Sequence, residues 1–176
     1  MANCRKEIPA FANLNCTFES GGINALAFVT EEKALLAEVD PTLWSDPAFW
    51  TSETYTGDIL IHQEVSGSYA PSDATITGKG SQFERNIGCT HTLECQIESV
   101  KGNDDYWNAL IKSDNYRIVW VGNYYQTLFV GTQNARISGR MTQEQDRNTL
   151  NEWLVTAVWS DIDNPGTYDV PTGIFQ

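Results

Sequence analysis

His91-Thr-Leu-Glu-Cys-Gln-Ile-Glu-Ser-Val100 is the stretch on which the fold turns. Leu93, Cys95 and Ile97 share one parity, and Glu94, Gln96 and Glu98 share the other. That period of two marks a strand with one face in a core and one in water. Downstream the period changes. In Asn103-Asp-Asp-Tyr-Trp-Asn-Ala-Leu-Ile-Lys112, Tyr106 or Trp107 lines up with Leu110 and Ile111 as a helical stripe, with Asn or Asp ahead of it to cap and Ser113-Asp-Asn115 to end it. Tyr116 to Val121 and Gln126 to Val130 then flank Gly122-Asn123, a hairpin signal, and Ala135 to Met141 reads as a further strand. Leu150 to Trp159 fits both periods. Its β-branched Val155, Thr156 and Val158 and its β surroundings favour a strand. The tail from Asn164 carries Pro165 and Pro171 and reads as an extended arm with Ile174-Phe175 as its anchor.

Upstream, Gln82 to Ile87 and Asp58 to Val65 are strand candidates, separated by a turn at Pro71-Ser-Asp73, the run Ala74 to Thr77, and a tip at Gly78-Lys-Gly80. Gly21-Gly22 opens Ile23-Asn-Ala-Leu-Ala-Phe-Val-Thr30, whose two parities are both largely apolar; it is either a strand buried on both faces or a helix. Thr30-Glu31-Glu32 resembles a helix start, with a hydroxyl cap and acids at the positive end of the dipole, and Asp40-Pro41 stops that helix. A near-duplicate follows: Asp40-Pro-Thr-Leu-Trp44 and Asp46-Pro-Ala-Phe-Trp50. Asp before Pro suits a cap and first helical position, so each unit reads as one helical turn that plants a Trp. Long structured loops are usually functional, and here contact with another subunit is the expectation.

The elements sum to a mainly β chain, an antiparallel β-sandwich or open barrel of about seven to nine short strands. It has one α-helix, a long structured loop and extended terminal arms. Residues 1–22 are the N-terminal arm, 23–163 the sandwich with loop 31–57 and helix 103–112, and 164–176 the C-terminal arm. A chain of 176 residues suits one such domain, and 41% hydrophobic with 11% aromatic residues supports a packed core rather than a disordered chain. No apolar run is long enough to span a membrane, and the charged start Met1-Ala-Asn-Cys-Arg-Lys-Glu7 does not read as a secretory signal.

The net charge is −12, from 11 Lys and Arg against 23 Asp and Glu. Residues 31–75 hold one base and nine acids, and 141–176 one base and six acids; the stretch between them is balanced. Such a surface repels phosphate, which disfavours non-specific binding of nucleic acid or of an anionic membrane.

No set of residues for catalysis or metal binding assembles in the sequence. Cys89-Thr-His91 puts a thiol and an imidazole on one face of an extended chain, but thiol sites are rarely built from sequence neighbours. The pair reads as a partly exposed loop cysteine beside a strand-end histidine. Cys4 and Cys16, and Cys89 and Cys95, lack the spacing of a zinc knuckle, and four free thiols suit a reducing cytosol. Gly78-Lys-Gly-Ser81 lacks the spacer of a phosphate loop. Asp104-Asp105 serves a helix start, and Asn15-Cys-Thr17 is a chance glycosylation match. The expectation is no catalytic, cofactor-binding or metal-binding residue. Of the six tryptophans, Trp107, Trp120, Trp153 and Trp159 lie on apolar faces and belong in the core, whereas Trp44 and Trp50 pin the loop or an interface.

The order of elements resembles that of tailed-phage tail tube proteins and their relatives in contractile injection systems: a strand, a long acidic loop, strands, a helix, a hairpin and closing strands. Asn151-Glu-Trp-Leu-Val-Thr-Ala-Val-Trp-Ser-Asp161 with its Pro-containing tail is similar to the family's closing strand, and the acidic blocks suit a channel lined with negative charge. The resemblance runs from Ile23 to Gln176 and rests on pattern, without a signature motif. The Trp-bearing Asp40 to Trp50 loop departs from the family and would suit a connector or capsid-associated component instead. The resemblance implies a virion structural protein made in the bacterial host cytoplasm. It would form stacked homo-oligomeric rings, contact other tail or connector proteins, pass DNA without specific binding and touch no membrane. Exposed strand edges would pair between copies. Trp44, Phe49, Trp50 and the termini are the candidate contacts, and Glu94, Gln96 and Glu98 the candidate lumen face. The competing expectation is a monomeric β-sandwich module that binds carbohydrate or another small ligand through its loop aromatics.

Overall fold

The computed structural model describes residues 22–53, 57–72, 75–77, 85–98, 102–122, 127–142 and 152–175. In chain order these form β1 (Ile23–Thr30), α1 (Glu31–Val39), a 3-10 helix (Pro41–Ser45), α2 (Pro47–Glu53), β2 (Ile59–Gln63), β3 (Ser66–Pro71), β4 (Thr75–Thr77) and β5 (Arg85–Ile97). There follow α3 (Asp104–Ile111), β6 (Tyr116–Gly122), β7 (Thr127–Asn134), β8 (Arg136–Thr142), β9 (Glu152–Asp161) and β10 (Gly166–Asp169). The strands make two antiparallel sheets, β10-β7-β6-β1-β2 and β3-β5-β9-β8, with β4 paired to the start of β5. The expected mainly β sandwich is the fold.

Alternation along β5 and β9 builds the core between the sheets. Leu93, Cys95 and Ile97 point inward beside Trp153, Val155, Ala157 and Trp159, and they meet Leu26, Phe28, Ile118 and Trp120 of the first sheet. The ambiguous 150–159 stretch is therefore a strand from Glu152 onward, Leu150 and Asn151 lying outside the described residues. Helix α3 closes one side of the sandwich: Trp107 and Leu110 enter the core, and Ile111 packs on the inward side of β8, where a Cβ on Gly139 would come within 3.3 Å of it.

Strand β1 is apolar on both parities because both faces are covered. Leu26 and Phe28 face the second sheet, whereas Ala25, Ala27 and Val29 face a second hydrophobic layer with Val119, Val121 and Leu128. That layer is the 31–57 loop. In α1 the buried residues are Ala34 and Ala37, small enough to let the helix approach the sheet, while Leu35 and Leu36 face outward. Both Asp-Pro units cap as expected: Asp40 Oδ1 accepts from the Thr42 amide at 3.2 Å and Asp46 Oδ1 from the Ala48 amide at 2.9 Å. The Thr30 hydroxyl makes no cap bond; the Glu31 amide instead donates to the Asn115 carbonyl at 3.0 Å. The Asn103 side chain likewise makes no cap bond on α3, so neither expected side-chain cap forms there.

Several expectations change. The two strands expected at 82–87 and 91–100 are one where described: β5 runs unbroken from Arg85 through Gly88 to Ile97, and residues 82–84, 99 and 100 lie outside the described residues. Strand β3 was hidden by its turn-like composition, Ser66-Gly-Ser-Tyr-Ala-Pro71, and its terminal Pro is tolerated because β3 is an edge strand. The short helix read after Thr30 is α1, and the helical turns of the two Asp-Pro units are the 3-10 helix and α2, so the segment expected as a long loop is largely helical where described; the helix expected at 103–112 spans Asp104–Ile111. The tail is more than an arm. Its β10 extends the first sheet beside β7, and Phe175 is fully buried against Trp50 at 5.0 Å between ring centroids. The expected arm 1–22, apart from Gly22, lies outside the described residues, as do Cys4, Cys16, the Asn15 to Thr17 match and the Gly78 to Ser81 tip.

Candidate functional site

The two sheets differ in what covers them. The outer face of the first carries the α1–α2 layer and the tail. Cross-strand register sets the outer face of the second: Ser66, Gln96, Leu154 and Arg140 form one row across β3-β5-β9-β8, and Ser68, Glu94, Thr156 and Ser138 the next. Glu94, Gln96 and Glu98 are exposed, as the sequence implied. The face is not uniformly acidic, because β8 brings exposed Arg136 and Arg140 onto it. Among the described residues, no strand pairs with the outer edge of β3 or of β8.

The loop aromatics named as contacts are internal. Trp44 is 1% exposed and Trp50 0%; their rings lie 6.0 Å apart, and Phe49 stacks edge-on against both. The Trp50 Nε1 donates to the Trp44 carbonyl at 2.9 Å, so the planted tryptophans hold the loop to its own chain. They are unavailable for stacking on a sugar or on a neighbouring subunit. Buried Arg117 of β6 pairs with Glu38 and clamps α1 to the first sheet.

Cys89 and His91 sit together inside β5 rather than on a loop. His91 is fully buried, stacked on Trp159 with 5.2 Å between ring centroids. Its Nε2 lies 3.1 Å from Cys89 Sγ, and its Nδ1 lies 2.6 Å from the Tyr69 hydroxyl. The Cys89 Sγ also lies 3.4 Å from the Asp161 carbonyl, and Cys89 itself is half-buried. Burial and the neighbouring Cys89 raise the Tyr69 phenol above its ordinary value, which keeps it protonated. The sequence offered Cys89 and His91, but Tyr69 was not legible: it arrives from β3, an element the composition concealed.

Tyr69 also borders a cleft of about 440 Å³ at one end of the sandwich, with Trp120, Phe129, Pro71 and Pro165 on its walls. Beside Ile97, at the other end of β5 from Cys89, His62 stacks on Trp107 at 5.3 Å and its Nε2 lies 2.7 Å from the Tyr106 hydroxyl. Burial pulls the His62 imidazole down to about 4, so it is neutral near pH 7. No helix among the described residues is long and apolar enough to cross a membrane.

No protein-family profile, no curated protein and no solved structure matches the chain.

Proposed function

We propose that this chain is a non-enzymatic virion structural protein, a tail tube subunit whose copies join into stacked rings around a channel for DNA. The observation that carries this reading is the asymmetry of the sandwich. One sheet is sealed on its outer face under a hydrophobic layer, while the other offers a polar outer face bounded by β3 and β8; these two, like β2 and β10 of the sealed sheet, have no outer strand partner among the described residues. Edge strands invite pairing, and β8 of one copy beside β3 of the next would continue the sheet and remove both edges. Arg136 and Arg140 on β8 act as guards against indiscriminate pairing, and in a chain of net charge −12 they find acidic partners on a neighbouring copy. The acidic remainder keeps phosphate from lodging in the channel. Contacts between copies then belong to the β3 and β8 edges, because the loop aromatics are spent inside the subunit.

The test is negative-stain microscopy and light scattering of the concentrated protein. Rings or tubes are expected for the wild type, and the double substitution Arg136→Glu with Arg140→Glu is expected to leave folded monomers. A wild type that stays monomeric at every concentration would favour the second reading, a small-ligand binding module. That reading is supported by the aromatic cleft at Tyr69, Trp120 and Phe129 and no longer by the loop aromatics.

A further inference from the structure

We propose that Cys89 is a nucleophilic thiol and a site of covalent modification by small disulfides, with His91 as its proton acceptor and Tyr69 as the residue that positions the imidazole. The inference is independent of the assembly reading. Three features of the geometry carry it. The first is contact: Sγ and Nε2 are 3.1 Å apart, so the S–H can donate to the ring nitrogen along a formed hydrogen bond. The second is a fixed partner for the other ring nitrogen. Nδ1 lies 2.6 Å from the Tyr69 hydroxyl, which can donate or accept; in the tautomer with its proton on Nδ1 the ring donates to the phenol oxygen and leaves Nε2 free to accept from sulfur. This is the logic of a nucleophile, a base and a third group that orients the base, with a phenol as the third group. The third is rigidity: His91 is fully buried, its ring stacked on Trp159 and bonded at Nδ1 to Tyr69, and the Tyr69 and Trp159 rings themselves lie 6.0 Å apart, which fixes the imidazole beside the sulfur.

Cys95, six residues along the same strand, is the built-in contrast. It is buried in the core and burial pushes its thiol up to about 12, so it stays inert. Cys89 is half-buried at the end of the described β5–β9 pairing, beside Asp161 of β9, so unlike Cys95 the residue is not sealed in the core.

In the step, the Cys89 proton moves to His91 Nε2 while Sγ attacks one sulfur of a low-molecular-weight disulfide of the glutathione type. The new Sγ–S bond forms as the old S–S bond breaks. The departing thiolate takes the proton back from the imidazolium, so Cys89 is oxidised to a mixed disulfide and the released half is reduced to a thiol.

The test treats the full chain with oxidised glutathione and follows the mixed disulfide at Cys89 by peptide mass spectrometry. Cys89 in the native protein is expected to react at least about tenfold faster than the same residue in the urea-unfolded chain, a threshold set below the roughly 10²–10⁴-fold that a positioned base supplies because the residue is half-buried. His91→Gln should lower the native rate by about tenfold or more. Tyr69→Phe keeps the ring and should lower it less. In both variants the rate should fall more steeply with decreasing pH than in the wild type, which a loss of packing alone would not produce. The proposal is overturned if native Cys89 reacts no faster than in the unfolded chain, or if a folded His91→Gln protein keeps the wild-type rate and pH profile. Should His91→Gln fail to fold, the native-to-unfolded ratio and the Tyr69→Phe profile decide between the same two outcomes.

Discussion

Replacing Trp50 by Ala separates two accounts of the 31–57 segment. If its tryptophans wait for a neighbouring subunit, the substitution spoils assembly and leaves monomer stability alone. The structure requires the opposite. Trp50 is fully buried, with Trp44 at 6.0 Å, Phe49 at 5.7 Å and Phe175 at 5.0 Å between ring centroids. Its truncation opens a cavity at the junction of α2, the 3-10 helix and the tail, for which large-to-small aromatic substitutions cost about 3–5 kcal/mol. The lost Nε1 bond to the Trp44 carbonyl adds about 1 kcal/mol if water cannot replace it. Against a total stability of about 5–15 kcal/mol for a domain, that is a large fraction. Urea unfolding followed by circular dichroism should show a midpoint far below that of the wild type. Trp50→Phe, which keeps most of the volume but not the hydrogen bond, should fall in between. An unchanged midpoint for Trp50→Ala would falsify the second hydrophobic layer as a part of the folded subunit and return the loop to the role of an interface.

Two other perturbations read separate parts of the molecule. His62 has an imidazole pulled down to about 4 by burial, so the unfolded chain binds a proton near its ordinary value while the folded chain does not. Its contribution is therefore fully present above about pH 6.5 and is lost as pH falls toward 4, by about 2 kcal/mol between pH 7 and 5. Urea midpoints for wild type and His62→Gln should converge over that range, and parallel pH curves would sink the assignment. Gly67→Ala should loosen β3, because a Cβ there would lie 2.5 Å from the Glu94 carbonyl oxygen and 2.8 Å from the Cys95 Cβ. A cost of about 1–3 kcal/mol is expected. It should come with faster amide exchange along β3, and unaltered exchange would argue against the close β3–β5 approach.

What the sequence disclosed and what it hid follow one physical division. Periodicity reports which side of an element is apolar, and so the 91–97 part of β5 and α3 were legible; in β9 the period left helix and strand open, and β-branched content decided for the strand. It does not report what an apolar side meets. β1 advertised two buried faces, yet nothing local said that its second face would be covered by the segment that immediately follows it. The loop aromatics were accordingly left between pinning the loop and contacting another subunit, and their burial decides for the loop. In α1 the ordinary expectation that Leu goes inward fails, because Ala34 and Ala37 allow a close approach to the sheet and displace Leu35 and Leu36 to the surface. The thiol cluster shows the same limit: Cys89 and His91 were visible as neighbours, but the residue that orients the imidazole comes from β3, whose Ser, Gly and Pro content reads as a turn.

The sealed face also decides where an assembly can form. Once α1, α2 and the tail cover the first sheet, pairing through that face would require exposing Trp44, Trp50 and Phe175, at about 1.5–3 kcal/mol for each large side chain returned to water. No such cost attaches to the second sheet, whose outer side chains are already hydrated and whose edge backbone gains partners on joining. Of the strand edges open among the described residues, β2 and β10 bound the covered sheet and β3 and β8 the hydrated one; a head-to-tail contact between β3 and β8 propagates from copy to copy, closing into a ring only if the angle between successive copies allows it. That angle follows from sheet twist together with the crossing of the two edges. A substitution that alters β3 alone, such as Gly67→Ala, should consequently change the size or closure of any assembly before it abolishes it.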